Sequence, residues 1–228
     1  MYIVHTYSLL QYCVIKKILY LFLQYMTILL PVSLGEAIDK LTILDIKMDK
    51  IMDDRKQDVK NEYDLLYEKL KEFIVKYKNL YDTMKKVNLL IWDMMNILRN
   101  ETTNEKQYLK ICKECTDYND IRFRVKNKIN CISSSLLKEQ KSYKKSRFVI
   151  ILKTTINSLD CVRIVKYLSF IYDEILIASN FNQNLLKEYF SYDMTILFTS
   201  ATTDWNIIVE NESELCNLFV IEEINKLI

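Results

Sequence analysis

The stretch "LLPVSLGEAIDKLTILDIKMDK", Leu29 to Lys50, contains the only glycine and the only proline of the 228-residue chain. Ser33 and Glu36 have the spacing of a capping box, in which both side chains bind free N–H groups of the first helical turn. The proline lacks an N–H group and stands just before this helix, as expected. Gly35 falls in the first turn, where a missing side chain lets another backbone approach closely. The pattern predicts a helix over 33–52 that begins at a tight contact.

Apolar residues in this helix follow the heptad spacing of coiled coils, and two later segments repeat that spacing. We expect the first two helices to pair as an antiparallel hairpin across 53–57, although the pattern leaves open whether 57–98 is one helix or two. Further helices are predicted near 104–115 and 119–133. The first part of the chain is therefore predicted to be an α-helical bundle with a coiled-coil-like hairpin.

The hydrophobic period changes after Lys145. Short apolar runs predict strands at 147–152, 174–178, 194–199 and 217–221, and these alternate with helical segments, including a short helix over 204–211. Strands that alternate with helices favour a small α/β domain with a mostly parallel sheet. Net charge changes at the same place, from +7 over residues 1–146 to −5 over 147–228. We predict an α+β chain in two parts.

The uncharged, apolar stretch from Ile18 to Gly35 allows three interpretations. In the first, translation starts at Met26 and residues 1–25 are upstream sequence. In the second, the stretch is a membrane anchor, and in the third it is an additional buried helix. We favour the first interpretation. The predicted division is then an apolar leader at 1–25, a helical bundle at 26–145 and an α/β domain at 146–228, with membrane contact through 18–34 as the lesser alternative.

The six cysteines are scattered along the chain, which favours reduced thiols in an intracellular, cytoplasmic protein. Cys112 and Cys115 have metal-like spacing, but there is no second such pair and the only histidine is His5, so we assign no metal. The cofactor is unknown. The bias towards Tyr, Lys, Ile and Asn indicates an AT-rich genome, for example that of a large DNA virus or a parasite. If the protein is viral, the compartment is the host cytoplasm.

Four stretches in order resemble an uncharacterised family of bacterial and viral proteins, catalogued as a domain of unknown function. "PVSLGEAIDKLTILDIKMDKI" is similar to the family opening P-V-S-x-G-E-x-x-D-K-x-T-I-L-x-I-K, and "VNLLIWDMMNILR" (87–99), "NDIRFRVKNKIN" (119–130) and "KEQKSY" (138–143) are similar to later family segments. The resemblance covers about residues 28–143. The chain departs from it at Met94-Met95-Asn96, where the family has an acidic element, and at Gln140, where it has glutamate.

The resemblance implies no reaction, because the activity of the family is not established. Members often accompany glycosyltransferases, which suggests a link to glycan or nucleotide-sugar metabolism by association. No catalytic residue is assigned.

Polar residues beside the apolar stripes form the candidate ligand site. Each has a structural alternative: a solvated ion pair for the charged residues, a buried amide that fixes helix register for Asn88, and a core position for Trp92. We hypothesise that the first helix and helix 119–133 face each other across one anion-binding cleft, with Lys40 and Lys47 on its rim. The candidate residues are Gly35, Glu36, Asp39, Lys40, Lys47, Asn88, Trp92, Asn119, Arg122, Lys126 and Asn130.

The span from Arg122 to Arg147 contains nine Lys and Arg residues and one acid, Glu139. Such a density is typical of a solvated basic face, of a site for a phosphate-bearing small molecule, or of a nucleic-acid contact. Nucleic acid is the least favoured of the three, because the chain has no recognisable nucleic-acid-binding motif.

We predict a non-enzymatic accessory or interaction protein that binds a phosphate-bearing small molecule or a protein partner. One alternative is a divergent or partial glycosyltransferase-like enzyme that uses the α/β domain, where the last predicted strand ends in Glu222-Glu223 and "KTTINS" (153–158) could offer a helix N-terminus to an anion. The other is a basic protein for nucleic acid or a membrane surface. The oligomeric state is not predicted.

Overall fold

The computed structural model describes residues 29–99, 104–142, 145–191, 193–219 and 221–227. The predictions about the leader at 1–25 and the start at Met26 lie outside these residues, as does most of the proposed membrane contact at 18–34. The chain divides into a unit at Met1–Val32 and a second unit at Ser33–Ile228. In the first unit, residues 29–32 are exposed and form no helix or strand. Among the described residues, no helix combines the length and the apolar character needed to cross a membrane.

Four helices form the first part of the second unit: α1 (Leu34–Lys50), α2 (Arg55–Lys76), α3 (Lys78–Leu98) and α4 (Glu105–Ile132). The serine half of the predicted capping box is present, because the Ser33 hydroxyl accepts the N–H of Glu36 at 3.1 Å, whereas the Glu36 carboxylate accepts from Lys126 at 2.6 Å. Segment 57–98 is two helices, which break at Tyr77 (φ −124°, ψ 43°). The two helices predicted at 104–115 and 119–133 are instead the single helix α4.

The core of the bundle lies between α1, α3 and α4. The members on these three helices that have no exposed surface are Ile38, Leu41, Met84, Val87, Val125 and Ile129. Helix α2 is peripheral and contributes only Leu70 to the buried set, although Tyr63, Leu66 and Phe73 pack partly against the core. The heptad stripe of α2 thus covers one side of the bundle without being enclosed by it.

Four parallel strands form the second part: β1 (Arg147–Leu152), β2 (Glu174–Ala178), β3 (Ile196–Thr199) and β4 (Ile207–Val209). Their order in the sheet is β3-β2-β1-β4. Helix α5 (Leu159–Ile171) connects β1 to β2, and the short helix α6 (Asn184–Tyr189) connects β2 to β3. The predicted fold class is therefore confirmed: a helical part followed by a small domain with a parallel sheet.

The predicted position of the last strand is wrong. Strand β4 lies inside the segment predicted as a helix at 204–211, whereas no strand forms over the described part of 217–221. There Asn217 ends the short helix α7 (Glu212–Asn217), Leu218 and Phe219 lie in a turn, and Ile221 begins the short helix α8 (Ile221–Leu227). The Asn211 side chain caps α7 by accepting the N–H of Glu214 at 3.2 Å, and acids in the first turn suit a helix N-terminus. Short apolar runs cannot be assigned by periodicity alone.

Helix α5 lies between the sheet and the bundle. One side of it, with Val162, Val165 and Leu168, belongs to the core that covers the sheet. Phe170 and Leu227, which are 1% and 2% exposed, belong to the bundle core. The two parts consequently share apolar contacts within the unit Ser33–Ile228. The change of architecture falls between α4 and β1, and the domain division at 145/146 stays a prediction.

Candidate functional site

The beginning of α1 lies directly against α4. The N–H of Gly35 donates to Asn130 Oδ1 at 2.7 Å, and both residues are buried. A Cβ atom at position 35 would lie 2.6 Å from the carbonyl oxygen of Lys126 and 2.8 Å from Asn130 Oδ1, closer than real Cβ atoms approach. The only glycine of the chain therefore stands where a side chain would separate two helices.

The carboxylate of Asp39 is the centre of the polar contacts between α1, α3 and α4. Arg122 binds it with both ends of its guanidinium, Nε to Oδ1 at 2.7 Å and Nη2 to Oδ2 at 2.6 Å. Asn88 donates its Nδ2 to Asp39 Oδ1 at 2.9 Å and to the Thr42 hydroxyl at 2.8 Å. Because the Asp39 side chain is only 4% exposed, this bidentate pair replaces the water that the carboxylate has lost.

Lys126 is the second cation at this contact. Its Nζ lies 2.6 Å from Glu36 Oε1 on α1 and 2.5 Å from Glu139 Oε2 in the segment after α4. Burial alone would lower the pKa of Lys126, but the carboxylates of Glu139 and Glu36 outweigh burial and raise it. Lys126 is therefore held charged and is shared between two carboxylates.

These contacts define the helical network. Its members are Gly35, Glu36, Asp39, Thr42, Asn88, Arg122, Lys126, Asn130 and Glu139. The network contains three carboxylates and two cations, and both cations are bound to carboxylates. Its first effect is to fasten α1 to α3 and α4. The anion-binding role predicted for these residues stays a prediction.

Seven of the eleven candidate residues meet in this network, and the other four do not. Lys40 pairs with Glu62 of α2 at 2.5 Å. Lys47 is half-buried near the end of α1, Trp92 is half-buried on α3, and Asn119 is exposed on α4. The four stretches that carry the family resemblance nevertheless converge, since each contributes at least one member of the network.

The basic span is largely neutralised by acids from other parts of the chain. Arg124 pairs with Asp173 at 3.1 Å, Lys128 with Asp193 at 2.7 Å, and Lys141 with Asp120 at 2.8 Å. Seven of the eight described Lys and Arg residues between 122 and 147 lie within 4.0 Å of a carboxylate. Much of the apparent basic face is thus an internal seam between the bundle and the sheet.

Two carboxylates of this seam were not predicted. Asp173 accepts the Ser146 N–H at 2.8 Å and the Ser146 hydroxyl at 2.9 Å, besides Arg124. Burial would raise the pKa of Asp173, but these donors hold it below its ordinary value. Asp193 faces Lys128, whose pKa is lowered by burial. These pairs join residues that are 49 and 65 positions apart in sequence, which leaves no local pattern, so sequence reasoning could not find either acid.

A groove of about 620 Å³ opens where α3 and α4 meet α5 and α8. We call it the acidic groove because three carboxylates of α4 line it together with three tyrosines. The defining residues are Glu114, Asp117, Asp120, Tyr118, Tyr167 and Tyr172, with apolar Leu90, Met94 and Ile121. Its two lining cations are Arg124, which is bound to Asp173, and Lys226 on α8.

The carboxyl edge of the sheet holds a second, smaller cavity of about 260 Å³ at the ends of β2 and β3. Gln183 organises this edge: its Oε1 accepts the Ile156 N–H at 3.0 Å, and its Nε2 donates to the Thr154 carbonyl at 2.6 Å and to the Ser179 hydroxyl at 3.1 Å. Gln183 is 1% exposed and was not predicted. We call this cavity the sheet-edge cavity.

The segment "KTTINS" does lead into a helix N-terminus, at α5. That terminus already holds an internal anion, because the N–H groups of Asn157 and Ser158 both donate to Glu212 Oε1. Lys153 is paired as well, with Glu210 at 2.7 Å. Among the described residues, no cluster of three or more His, Cys, Asp or Glu side chains is suited to a metal ion.

Comparison with known proteins gives no match to any family model, to any curated protein or to any solved structure. The resemblance to the uncharacterised family therefore stays a prediction that rests on its four sequence stretches.

Proposed function

We propose that this protein is a non-enzymatic accessory protein that binds a positively charged segment of a protein partner in the acidic groove. The observation that carries the proposal is the lining of this groove. Its volume is within the range of ligand sites in proteins, and it combines an apolar wall with a few convergent polar groups. Carboxylates bind Lys and Arg side chains directly, and tyrosine rings attract the same cations through their faces.

The groove's own ion pairs favour particular carboxylates for this role. Asp120 is bound by Lys141, whereas Asp117 is exposed and Glu114 has a distant partner in Lys110, at 3.8 Å. Glu114, Asp117 and Tyr118 are three and four residues apart on α4, so they share one face of the helix. A partner's Lys or Arg side chain would be held there between carboxylates and a ring.

The setting of this function is part of the same proposal. We propose that the protein acts in the cytoplasm, from its scattered cysteines, and in glycan or nucleotide-sugar metabolism, from the family resemblance. The partner would then be a protein of that metabolism with an exposed basic segment.

A fluorescein-labelled peptide of alternating Arg and Ala tests the groove by fluorescence anisotropy. The double variant Glu114→Gln with Asp117→Asn should weaken binding about 5- to 30-fold, because charge-assisted hydrogen bonds are lost. The matched control, Glu68→Gln with Asp58→Asn on the exposed face of α2, removes the same charge and should change binding less than about twofold. Equal losses in both variants, or no binding by the wild type, would reject the groove as the site.

The sheet-edge cavity supports a second candidate function, the binding of a small phosphate-bearing sugar. Its lining includes the hydroxyls of Ser179, Thr199 and Ser200, the ring of Phe181 and the ammonium group of Lys187, and none of the described lining residues is an acid. The carboxyl edge of a parallel sheet is where ligands bind in open α/β proteins. The glycosyltransferase-like alternative would use the same edge.

Thermal denaturation separates this candidate from the first. A sugar phosphate such as glucose 1-phosphate should raise the melting temperature of the wild type more than glucose does. In Lys187→Ala the two compounds should have the same effect on the melting temperature. The control variant Lys153→Ala, at the neighbouring strand end, should keep the difference between the two compounds. The absence of any shift with the wild type would remove this candidate and leave the acidic groove untouched.

A further inference from the structure

Two cysteines that are 55 residues apart in sequence meet where α5 packs on α7. Cys161 lies in the first turn of α5 and is fully buried, and Cys216 lies on α7 and is half-buried. Their Sγ atoms are 3.7 Å apart. The two sulfurs of a disulfide bond are about 2.0 Å apart, so these two sulfurs need to move closer by less than about 2 Å to form one. We propose that Cys161 and Cys216 are a redox-responsive pair that forms an intramolecular disulfide when the protein meets a peroxide.

The reaction balances with hydrogen peroxide as the oxidant. The sulfur of Cys216 attacks one peroxide oxygen, the O–O bond breaks, and the thiol proton leaves with the departing oxygen as water. This leaves a sulfenic acid on Cys216. The sulfur of Cys161 then attacks the Cys216 sulfur, the S–O bond breaks, and a second water carries away the Cys161 proton. Both sulfurs are oxidised and one peroxide is reduced to two waters.

The surroundings of the two thiols assign them different roles. Burial, together with the neighbouring Cys216 and Glu212, raises the pKa of Cys161 to about 12, and its thiol lies 3.5 Å from the Glu212 carbonyl oxygen. Cys161 therefore stays protonated and shielded in the reduced protein. Cys216 is the partner that solvent reaches, so it meets the oxidant first and Cys161 resolves the product.

The bond would fix the carboxyl edge of the sheet at β1. Helix α7 begins at Glu212, and the carboxylate of Glu212 holds the N–H groups of Asn157 and Ser158 in the loop that follows β1. A covalent link from α7 to α5 ties both sides of that contact together. It also closes a long loop of the unfolded chain, which is the usual origin of stabilisation by a disulfide.

The test treats the full chain with a roughly tenfold molar excess of hydrogen peroxide, followed by peptide mapping under non-reducing conditions. We expect one cross-linked peptide pair that contains Cys161 and Cys216 and has lost two hydrogen atoms. The melting temperature should rise by about 5–10 °C, and a thiol reductant should reverse the rise. Cys216→Ser should abolish both effects, and the control Cys112→Ser with Cys115→Ser should keep both.

Two outcomes would overturn the proposal. One is oxidation of Cys216 to a sulfinic acid while Cys161 remains a thiol. The other is a cross-link that leaves Cys161 and Cys216 unmodified. Cys161 is buried, so it is replaced by the small apolar alanine, and the half-buried Cys216 is the position at which the modification is measured. A sulfenic-acid trap applied to Cys161→Ala should label Cys216, and a lack of label there would contradict the order of the two steps.

Discussion

A single missing side chain allows α1 to begin against α4. Gly35→Ala should destabilise the protein by about 1–3 kcal/mol, because the new Cβ would meet the carbonyl oxygen of Lys126 and the side chain of Asn130. The intrinsic helix preference of alanine acts the other way by about 1 kcal/mol and should be exceeded. Urea denaturation measures the change.

The control for this prediction is Lys40→Ala, one turn further along α1. Lys40 is exposed and its ion pair with Glu62 lies at the surface, so the change should be within about 0.5 kcal/mol. If Gly35→Ala is as stable as the control, the two helices do not need their close approach.

Sequence reasoning identified Gly35 as a close-approach position because one glycine in a helix N-terminus is a strong local signal. It also named both partners of the central ion pair, Asp39 and Arg122, without pairing them. It could not see that Asp173 and Asp193 neutralise the basic span, because those pairs form only when distant segments fold together. A run of cations therefore suggested a binding face where the protein has, for the greater part, an internal seam.

At the scale of elements, Asp173 joins the end of α5 to Ser146 before β1 and to Arg124 of α4. Burial would raise the pKa of Asp173 in the folded protein, but the hydrogen bonds from Ser146 and Arg124 outweigh burial and hold that pKa below its ordinary value of 3.8. The stability that it contributes is therefore fully present above pH 3.8 and is lost as the pH falls through the lower folded pKa.

Asp173→Asn tests this contribution. Urea denaturation should show a difference between wild type and variant that is largest near neutral pH and shrinks as the pH falls below about 4. The variant Asp64→Asn, on the exposed side of α2, should show no such dependence beyond the general effect of one charge. A difference for Asp173→Asn that stays constant from neutral pH to strongly acidic pH would contradict the role of its ionised form.

The elements themselves were predicted unevenly, for a physical reason. Strands β1 and β2 were placed at their observed bounds because each is an apolar run beside a clear helix. Strand β4 has only three residues and lies beside a tryptophan and polar residues, so its pattern resembled a short helix. Its place in the sheet depends on pairing with β1, at Ile150 with Ile207, which is a tertiary contact.

At the scale of the whole molecule, the bundle and the sheet are joined through α5. Phe170→Ala should lower the free energy of unfolding by about 3–5 kcal/mol, because this ring is fully buried in the bundle core although it follows the first strand of the sheet.

Urea denaturation of the wild type tests whether the two parts unfold together: its far-ultraviolet and near-ultraviolet circular dichroism signals should be lost at the same urea concentration. Two separate transitions, with Phe170→Ala shifting only one, would mean that the parts fold independently.

The central claim is that the main role of the ion pairs in the helical network is to stabilise the fold. The most direct measurement is the coupling free energy between Asp39 and Arg122, from urea denaturation of Asp39→Asn, Arg122→Gln and the double variant. Each single change should cost about 2–4 kcal/mol, and the double variant should cost about 2 kcal/mol less than their sum, because one change already removes the bidentate pair. Additive costs, with a coupling below about 0.5 kcal/mol, would contradict the claim.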